Sequence, residues 1–411
     1  MESKNSPFTT NYFQNIWKKH FISNKKIERF KFIDGIRFYK NKFSVFFNVG
    51  KNLTKGTNYD LNNHTDYKNK TLVIYDVLPH LIKKTNTLPK HIGVLKSKQY
   101  PGFLIHLEQF KNIEDYLLNT FSKNTRMKMR KFTNRLSACF EISTKMFYGN
   151  IDKHEYDKIF EYFLVLLQKR YSDKQVSYNN MQSSEWSFYK EVAYPLILEK
   201  KASLFVVYDN DTPIAITYNY HTKDTLIDAI TVFDIDYSKF NLGYINNLKL
   251  LNWCFDNKLK VLDFSKGYFD YKKRMCTLEY DFEYHIIYDK SSLLSRLKAI
   301  SYYNFFEFKT YLRNKNFNTK FHKFTYRLKN KSKLKEKIEV KNLEKLDTSL
   351  NLSLIDIRKN TNYNFLKSHV YAFLYLAVKP YEDIELYKVN NADNIYILTS
   401  DSLIQEIKFI D

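Results

Sequence analysis

The chain has 411 residues, too many for one ordinary hydrophobic core and enough for two or three, so more than one packed unit is expected. Its 66 Lys and Arg against 44 Asp and Glu give a formal charge of +22, which favours anionic partners such as phosphates, nucleic acid or a lipid surface; the accompanying wealth of Asn, Ile, Tyr and Phe, residues of A/T-rich codons, offers a compositional origin for part of that excess. The cysteines Cys139, Cys254 and Cys276 fit neither a zinc site nor a disulfide framework, no apolar run is long enough for a membrane span, and Lys18, Lys19 and His20 interrupt any leader-like segment, so a cytoplasmic protein is expected, at most peripheral to a membrane.

From Arg29 to Val49, alternating aromatic and aliphatic residues around Asp34-Gly35 and Asn41 predict short paired strands, and Leu72–Val77 and Gly102–Leu107 two more. Pro79, Pro89 and Pro101 break the intervening chain, leaving a short helix around His80–Lys84. These elements form a first α/β unit, residues 1–119.

Helical spacing then takes over. Ile113–Arg135 reads as a long helix or helix pair, and its second part, Ser122–Arg135, holds six basic side chains and no acidic one. Further helices are expected over Lys153–Tyr171 and Ser184–Glu199. The period changes at Leu204: Leu204–Tyr208, a turn at Asp209–Thr212, Pro213–His221 and Thr225–Phe233 read as three antiparallel strands. A helix from about Gly243 to Asn257, a short strand Val261–Phe264, a loop and a last strand Tyr284–Tyr288 complete a second unit, residues 120–289.

Residues 290–337 carry 14 Lys and Arg against Glu307 and Glu336, interleaved with aromatic residues at helical spacing. That segment could bind nucleic acid or an anionic membrane face, or simply pack its aromatic residues inward. Residues 338–411 regain charge balance and read as a small α/β appendage, with strands Leu352–Ile357, Ile384–Val389, Tyr396–Leu398 and Glu406–Ile410 and a helix near Leu366–Ala377.

Glycine is scarce, eight in all, and only Gly243 and Gly267 lie beyond Gly149. Gly243 stands where strand gives way to helix, in Asp236-Tyr-Ser-Lys-Phe-Asn-Leu-Gly-Tyr-Ile. A glycine there either closes a turn or lets the helix N-terminus approach a phosphate, which the helix dipole favours. The run of residues 241–245, Asn241, Leu242, Gly243, Tyr244 and Ile245, is the candidate phosphate cradle.

Gly267 follows a strand in Val261-Leu-Asp-Phe-Ser-Lys-Gly-Tyr-Phe-Asp-Tyr-Lys-Lys-Arg. Asp263 could orient or deprotonate an amine, Tyr271 could protonate a leaving thiolate, and Lys266 or Lys272 could hold a substrate anion; equally, Asp263 could cap a turn and Tyr271 pack. Asp228 shares strand parity with Leu226, Ile230 and Val232: buried, its pKa would rise and suit a base; open, it is a solvated strand residue. His106, His221 and His285 sit in strand patterns with no partners at ligand spacing, so no metal is expected, and no HExxH, GxSxG or P-loop pattern appears.

Taken together, Asp209-Asn-Asp-Thr-Pro-Ile-Ala, the run Phe233-Asp-Ile-Asp-Tyr-Ser with Gly243 behind it, and Asp263-Phe-Ser-Lys-Gly followed by Tyr271-Lys272 resemble the BioF-like/CelD-like acetyltransferases, a GNAT branch similar to the FemAB aminoacyl transferases. The resemblance runs from about Thr120 to Tyr288, and the basic helix Lys123–Arg135, with Arg126 and Arg130, falls where that family carries an Arg-rich helix. It implies a mixed sheet flanked by helices and splayed to accept acetyl-CoA or another acyl-CoA, in a tandem arrangement whose N-terminal half is degenerate.

The implied acceptor is an amine of a small molecule or glycan, for instance an amino sugar or polysaccharide precursor. Arg126 and Arg130 join Lys266 and Lys272 as candidate substrate-binding residues. Lys239-Phe-Asn-Leu-Gly-Tyr-Ile departs from the commoner GNAT phosphate signature in having one glycine, which leaves aminoacyl-tRNA open as donor. The basic segments 123–135 and 290–337 would suit tRNA or an anionic membrane. A non-catalytic binding protein on the same scaffold is the third reading, and it predicts a filled cleft.

Overall fold

The computed structural model describes residues 6–82, 90–173, 183–315, 337–390, 392 and 394–410. The N-terminal part contains helix α1 (Asn11–Phe21), whose first turn is capped by the Thr10 side chain, and strands β1 (Ile27–Glu28), β2 (Ile33–Asp34), β3 (Phe38–Lys40), β4 (Phe46–Asn48), β5 (Asp60–Leu61), β6 (Thr71–Val77) and β7 (Ile92–His106). The expected helix near residue 80 is a short 3-10 turn, Pro79–Leu81, and residues 83–89 lie outside the described residues.

Next come α2 (Ile113–Thr120), α3 (Lys123–Cys139), β8 (Ile142–Phe147), α4 (Lys153–Asp173), α5 (Ser183–Leu198), β9 (Ala202–Asp209), β10 (Thr212–His221) and β11 (Thr225–Phe233). The expected helix Ile113–Arg135 is a pair because Phe121 is extended and Ser122 starts the second member, accepting from the Thr125 amide at 3.3 Å. A 3-10 turn, Ile235–Phe240, then leads into α6 (Leu242–Asp256), β12 (Val261–Lys266), α7 (Asp270–Met275), β13 (Leu278–Asp289) and α8 (Leu293–Asn314). Residues 316–336, much of the basic aromatic segment, lie outside the described residues.

Eleven of these strands share one mixed sheet, in the order β1-β3-β4-β6-β13-β7-β12-β11-β10-β9-β8. β13 is longer than the sequence pattern predicts because it pairs antiparallel with β7 from Leu278 to Asp289, and it also pairs antiparallel with β6. Strands on either side of residue 120 therefore share a single sheet. Helices cover both faces, which explains why β9 and β10 are buried almost residue by residue instead of alternating. Phe13, Trp17, Phe160, Phe188, Leu196 and Phe306 pack on one face; Tyr116, Leu136, Leu250, Leu251 and Phe264 belong to the core on the other.

The C-terminal appendage is a separate five-stranded antiparallel sheet, β14 (Lys337–Leu343), β15 (Leu352–Leu354), β16 (Glu385–Val389), β17 (Ile395–Thr399) and β18 (Ile404–Ile410), in the order β14-β18-β17-β16-β15. Its helix α9 (Lys367–Ala377) docks on the main body through aromatic contacts, Tyr371 on Tyr237 at 4.6 Å and Tyr375 on Phe240 at 5.2 Å between ring centroids. The appendage thus braces the Ile235–Phe240 turn that feeds α6. Among the described residues no helix is long and apolar enough to cross a membrane.

Candidate functional site

The feature that opens the sheet is the pairing of β11 with β12. The two are parallel neighbours, but their register covers only Thr225–Ile227 against Val261–Asp263. Beyond that the strands part. At the point of divergence β11 carries a bulge: Asp228 pairs with Asn219 and Ile230 with Tyr218, so Ala229 has no partner in β10. A cleft of about 910 Å³ occupies the gap, lined by Asp228, Ala229 and Phe233 of β11, by Lys266 at the end of β12, by Tyr271 and Lys272 of α7, and by the start of α6.

The N-terminus of α6 faces this cleft through Asn241, Gly243 and Tyr244. The left-handed residue at the helix entry is Asn241 (φ 56°), whose carbonyl accepts from Tyr244 and Ile245. Its side chain caps nothing, and the amides of Leu242 and Gly243 have no hydrogen-bond partner among the described residues. Of the two, Gly243 lines the cleft, so its amide is left as a helix N-terminal donor for an anion. Gly243 is required on packing grounds too, since a Cβ there would lie 2.4 Å from Cε1 of the Phe233 ring. Leu242 and Ile245 are in the core and do not line the cleft.

Asp228 is buried, and its carboxylate accepts from the Thr231 hydroxyl at 2.8 Å. Burial raises its pKa, opposed by the nearby Lys272. The Lys272 ammonium is buried as well, donating to the carbonyls of Phe264 at 2.6 Å and Lys266 at 3.3 Å; burial lowers its pKa while Asp228 and Asp263 raise it. Tyr271 packs against Phe264 and Phe269, and burial pushes its phenol up, so it is protonated at neutral pH.

Asp263 lies elsewhere. Both its oxygens accept from the Tyr280 hydroxyl, at 2.7 and 2.9 Å, one also takes the Ser265 amide, and the residue does not line the cleft; burial holds its carboxyl up at about 6. Arg126 and Arg130 are outside too. Arg126 donates to the carbonyls of Phe121 and Leu118, closing the end of α2, and Arg130 is exposed on the outer side of α3. The side chains that α3 gives the cleft are Thr125, Lys128, Met129 and Phe132. Lys266 lines the cleft but is paired with Asp76 at 2.5 Å. Of the histidines, His221 bonds Ser203 at 2.8 Å and His285 links Tyr59 to Glu283.

Several lining residues were not singled out in the sequence: Lys55, Arg170, Glu185, Tyr189, Arg274 and Lys309. They come from segments far apart in the chain and carry no motif. With Lys128, Lys266 and Lys272, the cations outnumber the carboxylates Glu185 and Asp228, so the cleft is electropositive, as a phosphate-bearing ligand requires.

Residues 123–273, which contain the splay, the bulge and the α6 N-terminus, match the family described as acetyltransferase (GNAT) domain. No curated protein matches the chain. Solved structures similar to it include FemX, at 11% identity and TM-score 0.44 over 68% of this chain and 91% of that one. L-PGS from Bacillus licheniformis aligns at 10% identity and TM-score 0.39, over 74% of this chain and 98% of that one. A tandem GNAT protein from the clavulanic acid biosynthesis pathway aligns at 8% identity and TM-score 0.30, over 62% of this chain and 78% of that one. The match to the acetyltransferase (GNAT) domain thus falls on the very segment that builds the cleft.

Proposed function

We propose that the protein is an N-acyltransferase that moves an acyl group, acetyl in the simplest case, from an acyl-CoA to an amino group of a small molecule or glycan precursor. The observation that carries this reading is the coincidence of the β11–β12 divergence with the α6 N-terminus, whose Gly243 amide is unbonded, on one open cleft. The donor's pyrophosphate would lie against that helix N-terminus, with Lys128, Arg170 and Arg274 as neighbouring cations. Its acyl arm would run between the strands to the Ala229 bulge, where a peptide N–H outside the β10 ladder is the candidate donor to the carbonyl oxygen.

In the transfer the amine nitrogen forms a bond to the thioester carbonyl carbon and the carbon–sulfur bond breaks. Asp228 takes the proton released by the amine, and the Tyr271 phenol supplies one to the departing thiolate, both groups being reset from solvent. A raised Asp228 pKa makes it a better base than an ordinary carboxylate, and burial keeps Tyr271 protonated for its part. Lys272, between two carboxylates, holds α7 to the end of β12 through the Phe264 and Lys266 carbonyls.

An open, electropositive cleft speaks for a catalytic reading over a non-catalytic one, for which a filled cleft is expected. The test is thermal shift with CoA, acetyl-CoA and tRNA on the wild type and Gly243→Trp. Stabilisation by CoA compounds that disappears in the variant is expected; stabilisation by tRNA alone, falling steeply with salt, would replace the donor with aminoacyl-tRNA.

A further inference from the structure

Lys55 lines the same cleft from the N-terminal half of the sheet, in the loop between β4 and β5. It is only 8% exposed, yet its ammonium has no hydrogen-bond acceptor and no ion-pair partner among the described residues. Neighbouring lysines are provided for: Lys266 has Asp76, and Lys272 has two carbonyls. Asp76 is already engaged, by Lys266 at 2.5 Å and the Thr54 hydroxyl at 2.9 Å. The loop is firmly set. Thr54 holds Asp76, the Thr57 amide donates to the Asp76 carbonyl at 2.7 Å, and Gly56 sits at φ +154° with Leu78 where a Cβ would go.

A second buried polar group lines the cleft without a partner. Tyr189 of α5 is 1% exposed, and its hydroxyl bonds nothing among the described residues. Lys55 and Tyr189 both feel Asp76 and Glu185, which places the two in one neighbourhood. A phenol withdrawn from water with no acceptor is costly unless a ligand supplies one, and the Lys55 ammonium has no protein acceptor among the described residues to offset the near-complete burial of its side chain.

We infer that the acceptor substrate is an amine that also bears an anionic group, a carboxylate or a phosphate, and that Lys55 and Tyr189 receive that group; this rests on the acyl-transfer reading above. Burial and the adjacent Lys266 lower the Lys55 ammonium to about 8, and an arriving anion would restore its full charge. The donor site at α6 and the acceptor's anion site, to which Lys55 comes from the N-terminal half and Tyr189 from α5, are then separate, with the reacting amine held between them.

The test titrates inorganic phosphate and, separately, glutamate against the protein with CoA present to fill the α6 site. One of the two should bind, and its Kd should rise about tenfold or more in Lys55→Met, as for loss of a hydrogen bond to a charged group. Lys55→Arg should keep most of the affinity. Response to phosphate alone identifies a phosphorylated acceptor, and response to glutamate alone a carboxylate. If Lys55→Met does not fold, Tyr189→Phe gives the same readout with a smaller loss. Equal binding to wild type and variants, or no binding of either probe to wild type, overturns the proposal. Failure of CoA to bind counts against the acyl-CoA reading separately, and the anion titration is then read without it.

A different observation concerns α8. Leu293, Leu294, Leu297, Ile300, Phe305, Phe308 and Tyr311 are 47% to 69% exposed, and at 100° per residue they fall within an arc of about 140° on one side of the helix. The opposite side is buried through Ala299 and Phe306, and Lys309 and Arg313 turn to the body, to Tyr284 and the Gln99 carbonyl. Arg296 and Lys298 border the apolar stripe on its two sides, Lys315 stands at its C-terminal end, and Glu307, the helix's one acid, lies on the Arg296 side.

We propose that this face lies on an anionic lipid surface, apolar side chains in the acyl boundary and cations at the headgroups. Co-sedimentation with phosphatidylcholine vesicles, with and without phosphatidylglycerol, should pellet the wild type with the anionic vesicles only. Leu297→Ser combined with Phe308→Ser should abolish this while CoA binding is unchanged. No pelleting of the wild type, equal pelleting of the double variant, or binding of tRNA in place of vesicles overturns the proposal.

Discussion

Gly243→Ala is the perturbation whose cost can be worked most directly. The new methyl would sit 2.4, 2.8 and 2.9 Å from three ring carbons of Phe233, so either the ring or the first turn of α6 has to move. The ring is not free to yield without loss, because the Arg170 guanidinium lies over it at 4.4 Å from the centroid. Overpacking of this kind costs about 1–3 kcal/mol. Helix preference works the other way, since Ala is better than Gly by about 1 kcal/mol within a helix. The net expectation is a loss of up to about 2 kcal/mol, with weaker stabilisation by CoA because the Gly243 amide shifts. Phe233→Ala removes the obstacle, and in that background Gly243→Ala should be neutral or stabilising. Urea denaturation of the four proteins gives the coupling directly. Equal destabilisation by Gly243→Ala in both backgrounds would refute the packing argument.

Lys266→Met would leave the wholly buried Asp76 carboxylate without its cation, a loss of about 3–5 kcal/mol in urea denaturation, most of it recovered by adding Asp76→Asn. A destabilisation unaffected by the second change would mean the pair is not the cause. Asp263, held at about 6 by burial, binds its proton more tightly folded than unfolded, so it favours the native state at low pH and that contribution fades as pH rises from about 4 to about 6. Relative to Asp263→Asn, the wild type should lose on the order of 3 kcal/mol over that window, and parallel pH profiles would contradict this. Asp228→Asn should lower kcat by about 10²–10⁴-fold, abolish the acid limb of the kcat/KM profile and leave CoA stabilisation intact. An unchanged acid limb would assign the base elsewhere.

The strands between Ala202 and Phe233 and the start of α6 were legible because alternation, turn residues and a scarce glycine all act locally. The reason for that glycine was only partly legible. The left-handed backbone is taken by Asn241, and what excludes a side chain at 243 is the ring ten residues earlier on the diverging strand. Arg126 looked like a substrate ligand from its place in a basic run, but the helix break at Phe121 turns it into a cap for α2. Asp263 reads as either a base or a turn cap; the Ser265 amide it accepts fits the cap, while nothing in the sequence aligns it with Tyr280, a contact that exists only since β12 and β13 both flank β7. Lys55 and the α5 residues Glu185 and Tyr189 belong to two segments far apart in the chain, and only the closed fold brings them to one cleft.

The position of β13 bears on how the chain reaches this fold. β6 and β7 are made early, but the strand that joins them emerges after β8 to β12, so a growing chain carries two unsatisfied sheet edges through most of its synthesis. Closing that slot is a long-range event with a large entropic barrier. Until it closes, the slot is a template that the same strand of a second molecule fits equally well. Refolding yield should therefore fall with protein concentration well before any loss of native stability is measurable, a liability set by strand order more than by side chains.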